Sequence, residues 1–106
     1  MRFFMKISEL AEKLNLETLS LTSPDTKVTG GYTGDLLSWV MGRAEAGQVW
    51  ITIMTNINIV AVAMLAGVSA IIITDNSPLG DDVIDKAKEQ GINLLRSSMS
   101  SYALSA

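Results

Sequence analysis

The side chains that could do chemistry in this chain are small and mostly uncharged. They fall in four runs: Thr29-Gly30-Gly31-Tyr32-Thr33 with Asp35 just beyond, Thr55-Asn56 with Asn58, Thr74-Asp75-Asn76, and Ser97-Ser98. Hydroxyls, amides and glycine N–H groups suit an anion or a hydrogen-bonding ligand, and helix N-termini with unpaired N–H groups favour negative charge. The chain has no histidine and no cysteine. Imidazole bases, proton shuttles, thiol nucleophiles, thiolate metal sites and disulfides are therefore excluded. The carboxylates are scattered, with no pair spaced for acid–base work or metal binding. No GxxxxGK[ST] run supplies the backbone cradle, lysine and magnesium-binding hydroxyl of P-loop phosphoryl transfer.

Each candidate also has a structural reading. Gly30-Gly31 allows close backbone approach to a phosphate or carboxylate, and equally serves a turn that needs positive φ. Asp35 can contact a ligand hydroxyl or sit in a first helical turn favoured by the dipole. Thr55 or Asn56 can meet a ligand or act as an N-cap. Asn58 is a polar side chain on an otherwise apolar helix and must face a partner or a crevice. Asp75 and Asn76 read first as turn residues. Trp39 lies off its helix's apolar stripe and marks either a contact surface or a shield over the core edge.

The elements that position these residues follow from one long stretch. From Ala46 to Thr74 there is no charged residue. It is punctuated by polar residues and glycine into a β-branched run, a helix-like run and a second β-branched run. The middle piece is shorter than the ~20 apolar residues that span a bilayer. Thr52, Thr55, Asn56 and Asn58 would be costly in lipid. Strand 49–54, buried helix 57–66 and strand 70–74 is the simpler reading, with both strands buried on both faces as in a parallel sheet.

Around that unit, the spacing predicts a helix over 8–15 with Ser8 as N-cap, an extended piece over 16–21 and a turn at Ser23-Pro24-Asp25. A short strand Lys27-Val28-Thr29 is ended by Gly30-Gly31. A helix over 34–45 carries the stripe Leu36, Leu37, Val40, Met41 and Ala44. A helix over 81–90 has Asp81 and Asp82 early, Lys86 and Lys88 later, and Gly91 at its end. A strand over 92–95 follows, and Ser97–Ser101 opens a C-terminal helix. Trp50 is assigned to the core, with Met41, Met54 and Met64 as fillers. The expected fold is a single domain over 1–106, a three-layer α/β/α sandwich with a mainly parallel sheet. Ligands of such sheets bind at the carboxyl ends of the strands, where the polar runs are expected to lie.

The run VTGGYTGDLLSWVMGRAEAGQVWITIMTNINIVAVAMLAGVSAIIIT, followed by IDKAKEQGINLLRS, resembles the DRTGG domain family over about residues 25–100. Thr29-Gly30-Gly31, the start Gly34-Asp35-Leu36-Leu37-Ser38, and Ala87, Gly91, Ile92 and Leu95 carry the resemblance. It implies a fold like the N-terminal domains of HPr kinase/phosphorylase and, more distantly, Mur ligases, and a regulatory or ligand-sensing role. The match departs where Lys27-Val28 replaces the family's Asp-Arg, and at Asn56, where stand-alone relatives often carry histidine.

The expected function is a non-catalytic regulatory domain, acting as a homodimer, that binds a small anionic ligand such as a nucleotide, or a partner protein. The alternative is a small phosphoryl-transfer enzyme or an accessory subunit of a redox or metabolic complex. No cofactor is expected. Net charge is −3 with no basic patch, which argues against nucleic acid. The start MRFFMKISEL is charged too early for a signal peptide, so the cytoplasm is expected. We expect the chain to purify without detergent; dependence on detergent for solubility would restore the membrane reading.

Overall fold

The charge-free stretch folds as strand, helix, strand. The computed structural model describes residues 5–35 and 37–100. In chain order these form β1 Met5–Lys6, α1 Ile7–Lys13, β2 Glu17–Ser20, β3 Lys27–Val28, β4 Gly30–Thr33, α2 Leu37–Arg43, β5 Gln48–Thr52, α3 Asn58–Ala66, β6 Ala70–Ile73, α4 Asp81–Gln90 and β7 Leu94–Arg96. Five strands make one sheet in the order β2-β7-β6-β5-β4. β4 to β7 are mutually parallel, and β2 runs antiparallel along β7. β1 and β3 form a separate antiparallel ribbon.

Alternation along the central strands builds two cores. Trp50, Ile71, Ile73 and Leu94 meet Val40 of α2, Ile59 and Ala63 of α3, and Val83 and Ala87 of α4. Val49, Ile51, Ala70, Ile72 and Leu95 meet Ile7 and Ala11 of α1. The α/β/α sandwich is thus present, with three helices on one face and one short helix on the other. No helix among the described residues is long and apolar enough to cross a membrane.

α3 contains several β-branched residues, which are mediocre helix formers. Its helicity comes from burying Ile59, Val60, Val62 and Ala63. α4 has the clearer pattern: carboxylates Asp81 and Asp82 in its first turn, Lys88 in its last, and Gly91 at φ 71° where only glycine is unstrained.

Trp50 is fully buried, and its indole N–H donates to the Gly34 carbonyl at 2.8 Å. Asn93 ties the lower edge together. Its amide accepts from Ser23 N at 3.0 Å and donates to the carbonyls of Ser23 at 2.9 Å and Ser69 at 3.0 Å. Arg96 grips Glu17 through two N–H···O bonds of 2.9 and 3.0 Å, joining β7 to β2.

Several expectations need correction. Gly30-Gly31 does not end a strand at a turn; it opens β4, an edge strand, and neither glycine has positive φ. Pairing with β5 extends the backbone there, and an edge strand tolerates the missing side chains. Lys27–Val28 belongs to the ribbon instead. The first helix starts at Ile7, where Lys6 N–H donates to Glu9 Oε1 at 3.0 Å, so Ser8 is not its cap. Met41 and Met64 are about half exposed, not core fillers. Leu36 and the C-terminal helix beyond Ser100 fall outside the described residues.

Trp50→Ala removes the largest buried side chain and leaves a cavity under α2 and α3. We expect a loss of about 3–5 kcal/mol in equilibrium urea unfolding.

Candidate functional site

The sequence candidates divide between the two ends of the sheet. At the amino end, Thr29 N–H donates to the Gly47 carbonyl at 2.9 Å, and its hydroxyl donates to the Ala46 carbonyl at 3.3 Å. A Cβ at Gly47 would lie 2.6 Å from the Thr29 hydroxyl oxygen, so this threonine is packed into the β5 approach. Gly30 and Gly31 follow at the start of β4. Gly31 and Thr33 pair with Val49 and Ile51 and, with Leu10 and Val28, line a shallow groove on the α1 face. Tyr32 points the other way and packs against the helical layer.

Asp35, Thr55, Asn56, Asn58 and Asp75 lie at the carboxyl end, roughly 10 Å from Gly30 along a strand that rises about 3.3 Å per residue. Asp35 and Asn56 use a side-chain oxygen locally. Asp35 Oδ1 accepts from the Thr52 hydroxyl at 2.7 Å and from Ile53 N–H at 3.1 Å. The same hydroxyl oxygen accepts from Met54 N–H at 3.2 Å. Asp35 therefore fixes the turn after β5, ahead of α2 and outside its first turn, while the residue itself stays exposed. Asn56 Oδ1 accepts from Asn58 N–H at 2.9 Å, which caps α3 from two residues away.

Asp75 and Asn76 are consecutive left-handed residues, φ 56° and 51°, as their turn reading implies. Their N–H groups donate to the carbonyls of Met99 at 2.9 Å and Ser97 at 2.7 Å. Beside them the Thr74 hydroxyl is buried with no hydrogen-bond partner. Among the described residues, no group of three or more carboxylates is placed to hold a metal ion.

Another concavity lies in the seam between α3 and α4. It is a groove of about 350 Å³, floored by Ile57, Val60, Ala61 and Met64 and edged by Asn58, Lys86 and Gln90. That volume is within the range of roughly 300–1,000 Å³ typical of small-molecule sites, which are apolar with a few convergent polar groups. Asn58 is the one sequence candidate it includes. Lys86 and Gln90 sit four residues apart on one face of α4, a spacing visible in the sequence. Nothing in the sequence set them against α3. The Lys86 ammonium reaches Glu89 at 3.9 Å, with both side chains well exposed. Such a pair is worth little and leaves the ammonium able to meet an anion.

Trp39 is 53% exposed on α2, and the Arg43 guanidinium lies over its ring, 4.1 Å from the centroid.

The fold is a mainly parallel sheet with three helices on one face and an apolar seam between two of them. No family model and no curated protein matches the chain. Among solved structures, it is similar to that of the CBS and DRTGG domains of the regulatory region of Clostridium perfringens pyrophosphatase, complexed with the activator diadenosine tetraphosphate. The TM-score is 0.69 at 19% identity, over 91% of this chain and 42% of that one. At that identity the likeness establishes the fold. This chain spans less than half the length of that structure.

Asp35→Ala strands the buried Thr52 hydroxyl and should cost about 1–3 kcal/mol in urea unfolding. Asp35→Asn keeps a carbonyl acceptor and should cost clearly less; no loss in either variant would remove Asp35 from its structural role.

Proposed function

We propose that this chain is a non-catalytic regulatory domain that binds a nucleotide-class anion in the α3–α4 groove. The groove's composition carries the reading. Its apolar floor suits the face of a base. Asn58 and Gln90 offer amide donors and acceptors to a base edge or ribose. Lys86 brings an ammonium for phosphate, and the first turn of α3 has no acidic residue to oppose it. The nucleotide activator bound by the structurally similar regulatory region supports the same chemical class. The absence of histidine, cysteine and a P-loop sequence supports a role in sensing over turnover.

A second reading rests on a different observation. Trp39 with Arg43 stacked on it presents the two residue types most enriched at binding hot spots. In that reading the domain is an accessory subunit that captures a partner protein through α2.

A thermal-shift screen with adenine and guanine nucleotides, cyclic nucleotides and nicotinamide cofactors separates the two. Binding at a hundredfold excess over Kd stabilises by about 2.7 kcal/mol. That corresponds to more than 10 °C at roughly 4–8 °C per kcal/mol. We expect a hit that Lys86→Ala and Asn58→Ala each weaken at least tenfold. Gly31→Val is the control, since a Cβ there meets only Val49 at ordinary contact distance. A hit lost in Gly31→Val but kept in the other two would move the site to β4. A flat panel would favour the Trp39 surface.

A further inference from the structure

We infer that the α3–α4 groove selects a cyclic mononucleotide, whose phosphate carries one negative charge, and discriminates against nucleoside triphosphates. This rests on the nucleotide reading above and adds the amount of charge the groove can accept. All of its charge comes from α4. No charged residue lies between Ala46 and Thr74, so neither α3 nor the loop that leads into it holds a cation. Of the groove's described lining residues, Lys86 alone is charged. Lys88 stands two positions on, about 200° round a helix of 3.6 residues per turn, and so faces away.

Backbone donors do not make up the difference. A helix N-terminus holds phosphate through unpaired N–H groups. At the start of α3 these groups already have partners. The Asn58 N–H donates to Asn56 Oδ1 at 2.9 Å, the Ile59 N–H to the Asn56 carbonyl at 3.2 Å, and the Val60 N–H to the Ile57 carbonyl at 3.2 Å. One ammonium is left to meet the phosphate.

Carboxylates flank that ammonium. Glu89 lies 3.9 Å from it, and Asp82, four residues before Lys86, is its neighbour on the helix surface. Across α4 the carboxylates Asp81, Asp82, Asp85 and Glu89 outnumber Lys86 and Lys88. A phosphodiester brings one charge, which Lys86 matches. A phosphomonoester already carries about −1.5 to −2 at pH 7. Each further phosphate adds negative charge that meets Glu89 and Asp82 with no second cation beside them.

The test is calorimetric titration of the full chain with cyclic AMP, cyclic GMP, ATP and GTP, at low salt and without divalent cations. For the preferred base, the cyclic nucleotide should bind at least tenfold tighter than the triphosphate. In about 1 M salt, where the Debye length falls to about 3 Å, that ratio should shrink at least threefold. Glu89→Gln and Asp82→Asn should each narrow it at low salt by strengthening triphosphate binding, while cyclic nucleotide binding changes less than twofold. Both positions are exposed, and a cooperative urea transition of each variant verifies the fold. A triphosphate that binds at least as tightly as the cyclic nucleotide, and is lost in Lys86→Ala, overturns this inference and leaves the nucleotide site standing. So does a ratio that neither salt nor the two substitutions change. A panel in which no nucleotide binds overturns the nucleotide reading, and this inference with it.

Discussion

The direction in which the strands are laid down governs most of this structure. β4, β5, β6 and β7 sit side by side in chain order, each joined to the next by a helix. A right-twisted strand feeding a right-handed helix crosses over with one hand. Four strands added in one direction therefore put α2, α3 and α4 on the same face. The other face must be covered from outside the parallel unit, and here α1 and the β1–β3 ribbon do it. A seven-residue helix cannot cover a five-stranded sheet, which is why Gly31, Thr33, Val49 and Ile51 are left along an open groove.

The same constraint explains where concavity is found. In doubly wound sheets a crevice opens where the strand order reverses and neighbouring helices part to opposite faces. Here the parallel strands never reverse. At their carboxyl ends the turn after β4 is tied to the end of β5 by the Asp35–Thr52 bond, and the turn before α3 closes on itself through Asn56 and Asn58. One hollow lies instead in the seam between two helices of the same layer.

The helices and strands of the βαβ core were legible because their signals are local. Continuous apolar runs flank a buried helix, and α4 has acidic, basic and glycine markers at the right ends. The layer class followed from the same pattern. Strand order was not legible, because β2 pairs with a strand more than seventy positions away and carries no mark of it. Gly30-Gly31 misled for a physical reason: glycine signals turns, yet an edge strand accepts it at little cost. Met41 and Met64 misled because an apolar side chain on a helix says nothing of what lies outside the helix. Asn58 was identifiable as a polar residue needing an explanation, whereas Lys86 and Gln90 became candidates only once α3 and α4 were placed side by side.

The bond between β2 and β7 has a consequence for synthesis. Glu17 pairs with Arg96, Ser20 is held by the Ile92 carbonyl, and Ser23 is bound by the Asn93 amide. A ribosome makes the first members of these pairs long before the second. β2 therefore leaves the exit tunnel without a neighbour and waits, unpaired, until β7 has emerged. Growth of the sheet from β4 onward can proceed as each helix appears, but its antiparallel edge is closed last, by the earliest made of its own five strands.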